Sequence, residues 1–290
     1  VGAAKSNLER LVNEADVLSP EDARLFQELA ESRCGIMLGA NSVYFLARRI
    51  LPRVEQLGLA GAREYYHYLL YSAEGPQELE DFIERITTHE TYFFREQYQL
   101  DALCETILPE VLKGSRKRQI TVWSAGCSTG EEAYTLAMLL LEHPLLREHH
   151  IRILGTDISR GVLSRARAGI YGQSSFRVAP KWAVEKYFDL QPNGHYRVRD
   201  EVRKLCSFGQ LNLMSTDRYR VFSPCEVILC RNVIMYLNQP ARLKVVEGFY
   251  NALSQGGYLL LGHSESLLNL STRFDLVHAE RDLVYRKGGR

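Results

Sequence analysis

From residue 117 onward, strand-length apolar runs alternate with helical stretches, and this alternation narrows the possible folds more than any other feature. The runs are QITVWS, IRILGT, CEVILC and GYLLLG; between them lie EEAYTLAMLLLEH, RGVLSRARAG and QPARLKVVEGFYNALS. Strands joined through helices need crossover connections, which predicts a parallel sheet covered on both faces. The last two strand-like pieces, FDLVHAE and DLVYRKG, are separated by little more than a turn at Arg281. That link is too short for a crossover, so this pair is expected to be antiparallel.

Residues 1 to about 85 contain helical periodicity and no convincing strand. Ser19 and Pro20 fit an N-cap and a first-turn proline, followed by the acids Glu21 and Asp22. A second helix is predicted from Asn41 or Ser42, with Val43, Leu46, Ala47, Ile50, Leu51 and Val54 forming one apolar face. Arg48, Arg49 and Arg53 lie off that face, and Pro52 is expected to kink or end the helix. A third helix is predicted in GAREYYHYLLYS and a fourth in QELEDFIERIT. The predicted division is therefore a helical domain over 1–85 and a larger domain over 86–290.

With 46% hydrophobic and 24% charged residues, the chain of 290 residues can bury the core of one large or two modest domains. No apolar run reaches the roughly 18 residues of a membrane span, and VGAAKSNLER lacks the apolar segment of a secretory signal. A cytoplasmic location is expected. The six cysteines form no C-x-x-C pair, which argues against a zinc knuckle or redox motif and predicts reduced core residues and no metal. A net charge of +1 provides no global attraction to nucleic acid.

In a doubly wound sheet the ligand sits beyond the carboxyl ends of the strands, so SAGCSTG after the first strand should contact it. A dinucleotide would want G-x-G-x-x-G and bare amides at the helix start. Here only Gly126 and Gly130 remain, and Glu131 with Glu132 place negative charge where phosphates would sit. A mostly parallel sheet closed by an antiparallel pair is the layout of a class I methyltransferase, and S-adenosylmethionine suits this loop because it has no phosphate and has cationic groups. The competing reading is that both acids merely complement the helix dipole. Asp157, ending the second strand, is placed to accept bonds from ribose hydroxyls or to cap the next helix, a task Ser159 also fits. Arg231 and Asn232 leave the buried run CEVILC at the same edge, and the segment ITTHETYFFRE interleaves Thr88, His89, Thr91 and Arg95 with aromatic anchors. That segment reads either as a lid or as a helix start capped by Thr88.

Taken in order, THETYFFRE, VWSAGCSTGEEAYTLAM, ILGTDIS, RARAGIYG, CRNVIMYL and GGYLLLGHSES closely resemble the CheR family of chemotaxis receptor glutamate O-methyltransferases, over nearly the whole chain. The resemblance implies an α/β class I SAM-dependent methyltransferase fold, Rossmann-like, with a mostly parallel seven-stranded sheet and antiparallel C-terminal hairpin. It adds an N-terminal all-helical domain and a small antiparallel β-subdomain inserted at about 172–208, with HYRVRDEVRKLCSF as its most strand-like part. The implied cofactor is S-adenosyl-L-methionine, with S-adenosyl-L-homocysteine as product and no metal. The implied partner is the cytoplasmic helical domain of methyl-accepting chemotaxis receptors, which would recruit a monomeric, cytoplasmic enzyme to membrane receptor arrays without membrane insertion.

Carried over by motif, Thr91 and Arg95 match cofactor-contacting positions, while His89 stands where the family has Asn. Glu132, or its neighbour Glu131, corresponds to the acid near the cofactor's amino acid portion, and Asp157 to the ribose ligand. Asn212 and Leu213 flank the adenine, Arg231 and Asn232 form the cofactor-edge pair, and Tyr236 stands beside the transferred methyl. Arg95, holding the substrate carboxylate through its planar fork, and Tyr236 are the catalytic assignments. The acid-free stretch from Ser32 to Val54 makes Arg48, Arg49 and Arg53 candidates for docking on acidic receptor helices, against an ordinary solvated basic face. The compact turn QPNGH argues against a peptide tether. Other readings are a methyltransferase acting on another protein or a small carboxylate, and a SAM-binding receptor adaptor without turnover.

Overall fold

The computed structural model describes residues 18–39, 42–113, 119–146, 149–268, 270, 273–279 and 282–288. Two compact units emerge: residues 1–88 together with 236–238, and residues 89–235 together with 239–290.

In the first unit, α1 (Pro20–Cys34) begins where Ser19 accepts the N–H of Asp22 at 3.0 Å. It ends at Gly35, whose φ of 73° an L side chain rarely adopts. The start predicted at Asn41 lies outside the described residues; α2 is described over Ser42–Gln56 and continues past Pro52. The helix does not end at the proline: its missing N–H and ring clash act on one turn, while buried Leu46, Ile50 and Val54 hold the helix on both sides of it. α3 (Ala62–Tyr71) and α4 (Gly75–Ile86) complete the described helices, with the Phe26 ring centroid 6.0 Å from that of Tyr65 and 5.6 Å from that of Phe82. Tyr236–Asn238 joins this unit as a short bridge: Tyr236 O accepts from Met37 N at 2.8 Å, and Asn238 N donates to Gly35 O at 2.8 Å.

Of the three docking arginines, Arg53 is committed internally. It donates from Nε and Nη2 to the buried Glu78 carboxylate at 2.9 and 2.5 Å, and Tyr65 Oη donates to the same group at 2.7 Å. Arg49 donates to the Arg85 carbonyl at 2.6 Å with its guanidinium 3.8 Å over Phe45. Arg48 is exposed, 5.7 Å from the Tyr44 ring. The basic face predicted from spacing is therefore narrower than three arginines, because two of them satisfy groups on neighbouring helices.

In the second unit, α5 (Gln97–Ala102) passes through a π turn at Leu103–Ile107 into α6 (Leu108–Lys113). There follow β1 (Gln119–Ala125), α7 (Glu131–Glu142), β2 (His150–Asp157), α8 (Arg160–Ala168), β3 (Ile170–Tyr171), α9 (Lys181–Tyr187), β4 (Phe188–Leu190) and β5 (Tyr196–Val198). The chain continues through α10 (Asp200–Arg203), β6 (Cys206–Gln210), β7 (Cys225–Cys230), α11 (Gln239–Ala252), β8 (Leu253–Leu261), β9 (Phe274–Ala279) and β10 (Asp282–Lys287). The main sheet has seven strands in the order β6-β2-β1-β7-β8-β10-β9. β6, β2, β1, β7 and β8 are parallel, while β10 runs antiparallel to both β8 and β9. The turn predicted at Arg281 lies outside the described residues.

β3, β5 and β4 form a separate antiparallel sheet. The stretch HYRVRDEVRKLCSF does not stay together as one strand-like piece of it. Tyr196–Val198 enters the small sheet, Asp200–Arg203 is helical, and Cys206 begins β6, which pairs with β2 along the edge of the main sheet. An edge strand needs one partner only, and β6 has no fully buried residue to give it an apolar signature. β7, by contrast, is buried at every position. At the centre, Trp123 donates to Thr156 Oγ1 at 2.9 Å and packs against Tyr219, Phe222 and Phe249. All six cysteines are free, and burial pushes the Cys34 and Cys104 thiols up to about 11 and about 12.

Candidate functional site

Strand order reverses between β1 and β7, and the register sets their carboxyl ends level. Ala125 lies beside Thr156, Ser124 beside Leu229, and Cys230 beside Leu261. The loops leaving β1, β2, β7 and β8 therefore meet at one edge, where a doubly wound sheet binds ligands.

The loop after β1 is held by its own backbone. Gly126 and Cys127 donate to Thr156 O at 2.7 and 2.9 Å, and Gly130 donates to Cys127 O at 2.9 Å. Gly126 (φ 83°) has no room for a side chain, since a Cβ would lie 2.5 Å from Val233 Cγ2. Asp157 ties this loop to the end of β2: Oδ2 accepts from Ser128 N at 2.9 Å and Oδ1 from Ser159 N at 3.0 Å. Burial pushes the Asp157 carboxyl above its ordinary value, opposed by these N–H bonds and by the charge of His89. Ser159 itself caps α8 by accepting from Val162 N at 3.2 Å, so Asp157 is not needed as that helix's sole cap.

The two acids at the start of α7 separate cleanly. Glu131 is 2% exposed, accepts from Thr129 Oγ1 at 2.6 Å and Ser175 Oγ at 3.1 Å, and has its carboxyl pushed up by burial. Glu132 lies at the edge, accepting from Ser124 Oγ at 2.6 Å and pairing with Arg231 Nη1 at 3.2 Å. Arg231 also donates through Nη2 to the Arg95 carbonyl at 2.6 Å and to Glu96 at 2.9 Å. Two carboxylates thus share one buried guanidinium, and the edge keeps an excess of negative charge. Arg231 Nε and Asn232 Oδ1 are buried without a partner among the described residues.

The segment between α4 and α5 is not a capped helix start. Residues 88–92 have no regular structure, and α5 begins only after two non-glycine residues at positive φ, Phe94 (60°) and Glu96 (55°). Its aromatics are anchors: Phe93 is fully buried against Tyr171, Phe176 and Phe188, and Phe94 N donates to Thr135 Oγ1 at 3.2 Å. The His89 carbonyl accepts from Ser128 Oγ at 3.3 Å, which brings His89 to the Asp157 side of the loop. Thr91 is half-buried. Arg95 is half-buried too, and donates Nη1 to the Glu90 carbonyl at 3.0 Å. Beyond β6, Leu211 N donates to Asp157 O at 2.9 Å, Asn212 Oδ1 accepts from Met214 N at 2.9 Å, and Leu213 O accepts from Tyr219 Oη at 2.6 Å. The first of these bonds places the chain entering Asn212 and Leu213 beside the end of β2. Tyr236, 42% exposed, groups instead with the first unit.

Sequence reasoning missed Glu96 and, above all, Glu265. The Glu265 carboxylate accepts from the backbone N–H groups of Asn232, Val233, Met235 and Gly262 at 2.7, 2.8, 3.0 and 2.8 Å. An acid in GHSES directly after a buried strand was the available signal.

The donor set fits S-adenosylmethionine and not a phosphate ligand. Asp157 and Glu132 line the edge, the start of α7 is acidic, and each carboxylate oxygen that accepts one bond retains capacity for a second. Orphaned Arg231 Nε and Asn232 Oδ1 add unmatched polar atoms at the same place. Among the described residues, no group of three His, Cys, Asp or Glu side chains is arranged to hold a metal, and no helix is long and apolar enough to cross a membrane.

Comparison with known proteins agrees with this geometry. Residues 21–87 match the family model described as CheR methyltransferase, all-alpha domain, and residues 89–283 match CheR methyltransferase, SAM binding domain. Chemotaxis protein methyltransferase 2 of Vibrio cholerae serotype O1 is 35% identical over 272 residues, covering 93% of this chain and 94% of that protein. Chemotaxis protein methyltransferase of Borreliella burgdorferi is 34% identical over 260 residues, covering 87% and 90%. Chemotaxis protein methyltransferase 1 of Pseudomonas aeruginosa is 31% identical over 270 residues, covering 91% and 97%. With a seven-stranded sheet ending in antiparallel strands, an acid-lined carboxyl edge and likeness along nearly its whole length, the chain belongs to the CheR methyltransferase family.

Proposed function

We propose that the chain transfers the methyl group of S-adenosylmethionine to glutamate side chains of methyl-accepting chemotaxis receptors, forming methyl esters. The observation that carries this reading is the acid-lined edge where Asp157, Glu132, Arg231 and Asn232 meet within the SAM-binding domain. When bound, S-adenosylmethionine supplies a methyl group already activated by its sulfonium. A glutamate with an ordinary pKa of about 4.3 is already a carboxylate at neutral pH, so the chain's own residues need only bind and orient. Asp157 serves the ribose, Asn212 and Leu213 the adenine, and Glu132 the cationic amino acid end. Glu132 is preferred to Glu131 because Glu131 is enclosed by Thr129 and Ser175. His89, Thr91 and Gly126 complete the cofactor site, and Tyr236 is assigned to the methyl side.

Arg95 is assigned to the substrate carboxylate, since its bond to Glu90 leaves part of the guanidinium fork uncommitted among the described residues. Arg95→Ala is expected to lower turnover by about 10²–10³-fold while leaving cofactor affinity within about tenfold. Wild-type turnover in that variant would remove Arg95 from the chemistry.

In this reading the helical domain over 1–85 meets the receptor, the domain over 86–290 performs the transfer, and receptor arrays recruit a cytoplasmic monomer to the membrane. Arg48, exposed, is assigned the larger docking share and Arg49 the smaller. Arg48→Glu with Arg49→Glu should raise receptor KM about tenfold at low salt, with the difference shrinking at high salt. A KM insensitive to charge reversal would retire the docking face. The function as a whole is tested by incubating the protein with labelled S-adenosylmethionine and receptor-containing membranes. Base-labile methyl incorporation is expected; base-stable label would point to amide or ether products.

A further inference from the structure

Glu265 uses its full accepting capacity on backbone. Oε1 takes the N–H groups of Val233 and Met235, and Oε2 takes those of Asn232 and Gly262. A carboxylate has about four lone-pair sites, so little remains for a ligand. Whatever this residue does for the site, it does through the chain it holds.

That chain is the exit of β7. Asn232 sits there at φ 58°, in the left-handed region that Asn tolerates better than other L residues. Its Oδ1 is buried without a partner among the described residues. The next residue, Val233, packs so closely on Gly126 that no Cβ fits between them. At the other end, Gly262 and Glu265 exchange bonds, Glu265 N donating to Gly262 O at 2.8 Å. A Cβ on Gly262 would lie 2.7 Å from both Asn232 nitrogens. One carboxylate therefore joins the exits of β7 and β8, and through Val233 it meets the loop after β1.

We propose that Glu265 is a positioning residue that holds Asn232 in its left-handed backbone shape and presents its side chain to the cofactor. The proposal rests on the reading that Asn232 lies at the cofactor edge. Charge-assisted N–H bonds are stronger than neutral ones, and a glutamine retains only one accepting oxygen. Glu265→Gln thus deprives two of the four amides of an acceptor, whichever way the amide is turned.

The test combines S-adenosylhomocysteine calorimetry with amide hydrogen exchange on ligand-free protein. In Glu265→Gln, exchange should accelerate about tenfold or more at the pair that loses its acceptor, Val233 with Met235 or Asn232 with Gly262, while β1 and β2 keep wild-type rates. The ligand's Kd should rise about tenfold, and Glu265→Asp, which keeps both oxygens on a shorter stem, should recover part of the loss. Uniform acceleration across the sheet, or loosened amides with unchanged affinity, overturns the proposal. If wild-type protein fails to bind S-adenosylhomocysteine, the functional reading falls, and the exchange pattern alone decides whether Glu265 holds the turn. Should neither variant fold, the wild-type amides of Asn232 and Val233 decide: exchange as slow as in β7 supports the anchor, and solvent-like exchange overturns it.

Discussion

Asp157→Ala is expected to raise the Kd for S-adenosylhomocysteine about 100-fold, because hydrogen bonds to a charged group contribute about 1.5–3 kcal/mol each and more than one is lost. The carboxylate accepts Ser128 N and Ser159 N in the ligand-free protein. In the proposed reading its removal deletes the ribose acceptor, and it also removes the bond that holds the loop after β1, where Ser128 stands at φ 49°. Ser159 still caps α8 through Val162 N, so the fold should survive. Asp157→Asn retains one oxygen and is expected to fall between the two, at about tenfold. Calorimetry decides: wild-type affinity in the alanine variant would reduce Asp157 to a loop fastener.

Arg231→Met should lower the thermal midpoint by roughly 10 °C. Removing one member of a buried ion pair costs about 3–5 kcal/mol, and a protein of this size loses about 2–4 °C per kcal/mol. The Arg231 side chain is 3% exposed, and Glu96 and Glu132 would be left facing each other with 15% and 16% exposure. The double variant Arg231→Met with Glu96→Gln should recover part of the loss by removing one of the two stranded charges. A midpoint within about 2 °C of wild type in the single variant would show that solvent relaxes the pair and that Arg231 is no clamp. Arg231 Nη1 and Nη2 face protein, and Nε is buried without a partner among the described residues, so in the proposed reading Nε is the atom left for the cofactor edge.

The elements legible in the chain were those whose burial leaves a period. β1, β2, β7 and β8 read as apolar runs because a central parallel strand is covered on both faces. β6 did not, because CSFGQ lies at the sheet edge with no fully buried residue. α5 and α6 went unread, and their path is interrupted by a π turn. Pro52 disfavours a helix interior, yet the helix continues past it with Leu46, Ile50 and Val54 buried on both sides. At the site, the acidic loop is visible as chemistry out of place for phosphate, and Asp157 as an acid at a strand end placed for ribose hydroxyls or a helix cap. Which of Glu131 and Glu132 faces the edge was not, because adjacent helical residues differ in direction by about 100° and either could point inward.

Local order and charge type were thus settled along the chain: strand after helix after strand, small residues at the first loop, acids where a dinucleotide site has none. Partnerships across distance were settled only by folding. Arg231 meets Glu96 and Glu132, 135 and 99 positions away, and Glu265 reaches back 33 positions to Asn232. No periodicity encodes such pairs, because they depend on which strands lie side by side and on where the register stops them. That register, and the desolvation it imposes on a few charged groups, turns a recognisable motif into a site with a defined shape.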